Sequence, residues 1–219
     1  MNRKGFIFDL DGVIVDTAKY HYLAWKKLAN DLGFEFTEEQ NEMFKGVSRK
    51  RCLEILLELG NVHATQEQFD RWMIEKNEDY LAYIETMNAS EILPYVERVL
   101  EFLKENNQPI GLGSASKNAQ SILEKVGLMS YFDTIVDGNH VTKAKPDPEV
   151  FVLAAEQLNV NKEHCIVFED SVAGIQAANI ANMKSIGIGE ANVLHEADHI
   201  FKDFTEMSDS FLMNLLNEE

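Results

Sequence analysis

Cysteine is scarce. Cys52 and Cys165 are the only two in 219 residues, far apart and in no partner pattern. That excludes a disulfide-stapled scaffold and a thiolate metal cage, and fits a reducing, cytoplasmic compartment. Cys165 lies in an apolar run, where an inert buried thiol is expected. Positive charge is also short. Lys and Arg number 20 against 37 Asp and Glu, a formal net charge of −17. Such acidity disfavours binding to nucleic acid or an anionic membrane, and no basic tract reverses it. Long apolar runs are missing too. The run after the opening "NRK" is too brief for a signal peptide or a membrane span. Repeats and low-complexity segments are absent. Nothing demands a dimer, so a monomer is expected.

What is present is an ordinary apolar content in a chain long enough for one α/β domain and a smaller module. Short apolar runs recur as "GFIFDL", "IGLGSAS", "TIVDG", "CIVFED" and "SIGIG". Apolar nearly throughout, they read as buried parallel strands. Helical patterns lie between the later ones. Val96, Val99, Leu100 and Leu103 follow helical spacing, and Gln120 to Val126 forms another segment ended by Gly127. Asp147-Pro148-Glu149 reads as an N-cap, a first-turn proline and a first-turn acid. The alternation predicts an α/β fold, a doubly wound parallel sheet. Between Thr17 and about Pro109 the strand rhythm stops. Cys52, Ile55, Leu56 and Leu59 make one helical stripe, and Phe69, Met73 and Tyr80 mark a longer helix. The expected division is therefore a core of residues 1–16 and 88–219 with a helical cap of residues 17–87 inserted. Two linkers would join the parts, which permits hinge closure over a site.

Polar residues at the carboxyl ends of the strands carry the chemistry, since ligands bind there in open parallel sheets. Asp9 and Asp11 follow the first strand, Ser114 ends "IGLGSAS", Glu169 and Asp170 end "CIVFED", and Lys145 sits in "KAKPDP". Crowded carboxylates raise one another's pKa, and a divalent cation relieves the repulsion. Hard oxygen donors suit Mg²⁺ completed by water and a substrate phosphate. Ser114, the amides of "SASKN" and the helix behind them make an anion cradle, to which Lys145 adds charge. Together these predict phosphoryl transfer through an aspartyl-phosphate. A turn after Leu10, permitted by Gly12, would let Asp11 flank the phosphoryl group opposite Asp9.

"DLDGVIVDT", "SASKN", Lys145 within "KAKPDP" and "FEDSVAGIQAA" resemble, in order and spacing, the four motifs of the haloacid dehalogenase superfamily. "DTAKYHYLAW" and "KGVSRKR" look like the cap of its β-phosphoglucomutase branch. The resemblance implies that Asp9 is the phosphorylated nucleophile and Asp11 the general acid/base. It implies that Asp9, the carbonyl of Asp11, Glu169 and Asp170 hold one Mg²⁺, while Ser114, Ala115 and Lys145 bind the transferring phosphate. Thr17 would sit at the hinge and His21 near Asp11. Lys45, Gly46, Val47, Ser48 and Arg49 would form a cap loop on sugar and distal phosphate. Trp25, Lys76, Ser116, Lys117 and Asn118 would line the substrate pocket. The implied reaction interconverts β-glucose 1-phosphate and glucose 6-phosphate, with glucose 1,6-bisphosphate as intermediate and priming phosphodonor. The sugar itself stays open.

Simpler readings accompany these. Ser48 and Ser171 are good helix N-caps, and Glu169–Asp170 fit a helix start. Trp25 suits packing as well as a sugar platform. Lys76, on a charged helix, reads by default as solvated, and His140, His164, His195 and His199 as structural. A sugar-phosphate phosphatase would use the same catalytic set and differ only in admitting water to phospho-Asp9. A signalling receiver domain fits poorly, because its phosphorylated Asp ends a middle strand and it has no helical insert. A phosphonate-cleaving relative would need a cap lysine in an apolar setting, and the sequence offers no plain candidate.

Overall fold

The computed structural model describes residues 3–44 and 47–217. Six parallel strands form one sheet in the order β3-β2-β1-β4-β5-β6. They are β1 (Gly5–Phe8), β2 (Ile110–Gly113), β3 (Thr134–Val136), β4 (Cys165–Glu169), β5 (Lys184–Ile188) and β6 (His199–Phe201). The first five match the apolar runs of the sequence. The sixth was not expected there: it is short and half-buried at the sheet edge, so it has little apolar content to announce it.

Helices cover both faces, as a parallel sheet requires. One face packs on α5 (Val96–Glu105), α6 (Ala119–Val126) and α9 (Asp209–Asn217). All four apolar residues predicted for α5 are buried. The other face packs on α7 (Glu149–Leu158) and α8 (Val172–Ile180). Helix α7 starts one residue later than expected, with Pro148 in the capping position. Asp147 still serves it, since its Oδ1 accepts the Glu149 N–H at 3.1 Å.

Between β1 and α5 run α1 (Ala18–Asp31), α2 (Glu38–Glu42), α3 (Arg49–Leu59) and α4 (Gln66–Ile84). Trp25, Leu28, Phe36, Phe44, Leu53, Leu56 and Trp72 make a separate apolar cluster among them. The stripe on α3 is rotated from the expected one: Cys52, Leu53, Leu56 and Leu57 are buried, and Leu59 is exposed. The chain leaves and re-enters the sheet layer side by side. Val15 bridges Ile92, the Asp16 N–H donates to the Glu91 carbonyl at 2.9 Å, and the Leu93 N–H donates to the Ile14 carbonyl at 3.0 Å.

Candidate active site

Strand order reverses between β1 and β4, which pair in register from Gly5–Cys165 to Phe8–Phe168. Such a reversal opens a crevice at the carboxyl ends of the two strands. Asp9 leaves β1 at that point, and Glu169 and Asp170 leave β4. A further element brings in the cation. Lys145 Nζ, buried, lies 2.5 Å from Asp9 Oδ1, 2.6 Å from Glu169 Oε1 and 3.1 Å from the Gly113 carbonyl. Asp9 Oδ2 accepts the Asp11 N–H at 3.0 Å, which folds the chain back after Leu10. Gly12 follows with φ +84°, a left-handed conformation that side chains disfavour. The space beside it is taken by a neighbour: a Cβ there would meet Asp170 Oδ2 at 2.2 Å. The Asp170 carboxylate therefore lies against the turn that carries Asp9 and Asp11.

The electrostatics follow from burial. Desolvation lifts Asp9 from 3.8 to about 7; Lys145 opposes the rise, while Glu169 and Asp11 add to it. Desolvation also raises Asp11, against a hydrogen bond from Thr17. For Lys145 burial acts downward, but the Asp9 and Glu169 carboxylates outweigh it and push the ammonium up. Two carboxylates thus bond one lysine, and the buried Asp11 carboxyl stands near enough to feel its charge.

That surplus of negative charge is the chemical ground for a divalent cation. Glu169 is already engaged on both oxygens, by Lys145 and by the Ser171 N–H and hydroxyl at 2.7 and 2.9 Å. Among the described residues no three His, Cys, Asp or Glu side chains are grouped to hold a metal unaided. A cation here must complete its shell with a main-chain carbonyl, substrate phosphate and water, which is how Mg²⁺ is commonly held. The residues present fit it.

Ser114 follows β2, fully buried, and its Oγ accepts the Ser116 N–H at 3.0 Å. Ser116 Oγ in turn accepts the Asn118 N–H at 3.2 Å. Small hydroxyl side chains thus wind the segment 114–118 into a tight turn ahead of α6.

From the other side, α1 and α4 close on Asp11. The Thr17 hydroxyl donates to Asp11 Oδ1, and His21 Nε2 lies 3.9 Å from the same oxygen. His21 Nδ1 is 3.1 Å from Lys76 Nζ.

The profile of the haloacid dehalogenase-like hydrolases matches residues 6–188. The chain belongs to that family. A β-phosphoglucomutase of Bacillus subtilis is 38% identical over 218 residues, covering 99% of this chain and 95% of the relative. The crystal structure of a β-phosphoglucomutase from Clostridium difficile superposes with a TM-score of 0.93 at 42% identity, covering 99% and 98% of the two chains. A fructose-1-phosphate phosphatase of Escherichia coli is 32% identical, covering 84% of this chain and 95% of its own.

In this haloacid dehalogenase-like chain Lys76 departs from its default reading. It is not solvated: the residue is 2% exposed, with Nζ 4.6 Å from the Trp25 ring centroid and 4.8 Å from that of Tyr80. Desolvation, then the Arg49 charge, lower it from 10.5 to about 7. A lysine in an apolar setting therefore does exist on α4, where the sequence offers no plain candidate. His21, pressed between Lys76 and the stacked Tyr80 ring at 4.2 Å, is held well below its ordinary pKa by burial and by Lys76 and Arg49. Trp25 serves both readings, packed in the helical cluster with its face on Lys76.

Lys45 and Gly46 lie outside the described residues. Val47 packs on the helical cluster, and Ser48 caps α3 by accepting the Arg51 N–H at 3.4 Å. Arg49, on the first turn of α3, is half-buried and lowered by desolvation. Ala115 and Ser116 are half-buried, and Lys117 is exposed. Asn118 Nδ2 reaches Asn77 Oδ1 on α4 at 3.4 Å. Asn77 carries no signal in the sequence, and Tyr80 is read there only as part of a helical stripe, although it follows Lys76 by one helical turn and so shares its face.

Proposed function

We propose that this chain is a β-phosphoglucomutase working through phospho-Asp9. The reading rests on one observation above others. Lys145 neutralises Asp9 beside Glu169, while the acid/base candidate Asp11 is held by Thr17 and approached by His21 from the helical segment. Nucleophile and proton carrier thus belong to one turn but answer to different parts of the fold.

In this reading the 6-hydroxyl of β-glucose 1-phosphate attacks the phosphorus of phospho-Asp9. The bond between phosphorus and the Asp9 oxygen breaks, and the hydroxyl proton passes to Asp11. The glucose 1,6-bisphosphate so formed reverses in the site. Asp9 then attacks the phosphorus at C1, and Asp11 returns the proton to the departing oxygen, which yields glucose 6-phosphate. A raised Asp11 suits it to hold a proton between the two half-reactions. A bisphosphate of this kind would also prime Asp9. Mg²⁺, held by Asp9, the Asp11 carbonyl and Asp170 with Glu169 behind, would supply charge stabilisation for the transferring phosphoryl group. Ser114, Ala115 and Lys145 would seat that group, and Ser116, Lys117, Asn118, Arg49 and Lys76 would contact the remainder of the sugar phosphate. Residues 17–87 would act as the cap on a core of 1–16 and 88–219.

Hydrolysis is the second reading, favoured by the phosphatase relative and by a catalytic set that serves either outcome. One experiment separates them: glucose 6-phosphate and free phosphate are measured together from β-glucose 1-phosphate with Mg²⁺ and a trace of bisphosphate. Isomerisation in excess of phosphate release is expected; rapid release without isomerisation would overturn the mutase. Asp9→Asn should abolish both products and the alkali- and hydroxylamine-labile phosphate adduct that mass spectrometry would place at residue 9.

A further inference from the structure

The segment 114–118 does not hold its shape alone. The loop after β3, "DGNH" at 137–140, is pressed against its back. The Gly138 N–H donates to the Ser116 carbonyl at 3.0 Å, and Asn139 Nδ2 donates to the Lys117 carbonyl at 2.9 Å. The Ala115 carbonyl sits so close that a Cβ on Gly138 would meet its oxygen at 2.5 Å. Three successive carbonyls are thus turned toward one loop. The loop itself is anchored by Asp137, which is 5% exposed. Asp137 Oδ1 accepts the Asn139 N–H at 2.9 Å and lies 2.9 Å from His140 Nδ1, while Oδ2 takes Asn139 Nδ2 at 3.2 Å.

A trans peptide is planar, so its N–H points opposite to its C=O. Fixing the carbonyls of Ala115, Ser116 and Lys117 against the loop therefore aims the amides of Ser116, Lys117 and Asn118 the other way. Two of these find local acceptors, Ser114 Oγ and Ser116 Oγ. The Lys117 N–H has no acceptor among the described residues. Lys117 is an exposed residue, so this donor is accessible to an anion entering the cradle, and oriented main-chain N–H groups of this kind bind anions.

We propose that the 137–140 loop is the template for the anion cradle, and that Gly138 and Asn139 are positioning residues that aim the Lys117 amide at a substrate phosphate. This rests on the reading of 114–118 as a phosphate-binding segment given above. Neither residue touches substrate. Gly138 acts by permitting the close approach to Ala115, and Asn139 by holding the Lys117 carbonyl.

The test uses two variants of the full chain. Gly138→Ala must displace the Ala115 carbonyl, and Asn139→Leu removes one donor at an exposed position. Inorganic phosphate is titrated with Mg²⁺ present, following the amide signals of Lys117 and Asn118 by NMR. In the parent the Lys117 amide should shift on phosphate addition. Losing one oriented hydrogen bond corresponds to about a three- to tenfold weaker phosphate Kd, the change expected in both variants. KM for the sugar phosphate should rise by the same factor, and in Asn139→Leu, which leaves Ala115 in place, kcat should stay within about twofold. Should Gly138→Ala fail to fold, Asn139→Leu decides alone. Parent-like phosphate Kd and KM in a folded variant would overturn the proposal, as would a Lys117 amide that ignores phosphate. The phosphate titration needs no turnover, so it decides this point even if the mutase assay fails.

Discussion

Lys145 Nζ stands 2.5 Å from Asp9 Oδ1, and 2.6 Å on its other side is Glu169 Oε1. One buried ammonium separates two carboxylates on adjacent strands. Lys145→Met would leave both without compensation, and breaking a buried pair in this way costs about 3–5 kcal/mol. The cost should depend on pH in a definite direction. Burial already raises Asp9 from 3.8 to about 7, so the folded state holds a proton there that the unfolded state has lost. The associated stability is complete below the unfolded value and disappears as pH rises through about 7. Without Lys145 the rise in Asp9 grows. Urea midpoints of parent and variant should therefore differ widely at about pH 8 and converge at about pH 5; a gap constant across that range would contradict the assignment.

Lys76 gives the opposite sign. Its folded value is depressed from 10.5 to about 7, by burial first and by Arg49 second. Between those values the unfolded chain binds the extra proton, so stability should rise with pH across the window. Lys76→Met, which keeps the packing on Trp25 and Tyr80 and discards the charge, should stabilise the protein at neutral pH. The gain should be about 1–3 kcal/mol, less than the whole shift because two cation–π contacts are lost with it. The variant should bind sugar phosphate more weakly. A melting temperature below the parent at neutral pH would refute this account of the buried amine.

Gly12→Ala should couple stability to the metal. The new Cβ would sit 2.2 Å from Asp170 Oδ2, in a backbone at φ +84°. We expect a stability loss of about 1–3 kcal/mol from the strained conformation and a Mg²⁺ requirement raised about tenfold through the displaced carboxylate. Activity titrated with Mg²⁺ after chelation measures it, with Asp170→Asn as the reference. Parent-like Mg²⁺ dependence in a folded Gly12→Ala would place Asp170 outside the cation shell.

Much of this was legible in the sequence, and for a physical reason. Central strands buried on both faces leave continuous apolar runs, and the carboxylates that end them stand out by contrast. That is why β1, β2 and β4, with Asp9, Ser114 and Glu169, can be read directly. Ser48 and Ser171 could likewise be read as caps because capping is local. What resisted was non-local. Lys76 looks like any lysine on a charged helix until Trp25, from another helix, is laid across it. Edge strand β6 has no apolar run to betray it, and Asp147 was displaced by one position because proline took the helix start. Gly138 and Asn139 carry no signal of their own, since their meaning lies in carbonyls some twenty residues away.

The register of β1 sets the order in which this molecule can be completed. Phe6 is aligned with Ile110 on one side and Ile166 on the other. A ribosome delivers the middle of the sheet first and its two neighbours much later. Until then Phe6, Ile7 and Phe8 have no mates and form a sticky segment that is fully enclosed only in the finished protein. Assembly from such distant pairings is slow by topology alone. The span of synthesis before Ile110 and Ile166 emerge is therefore the time in which this segment is open to aggregation.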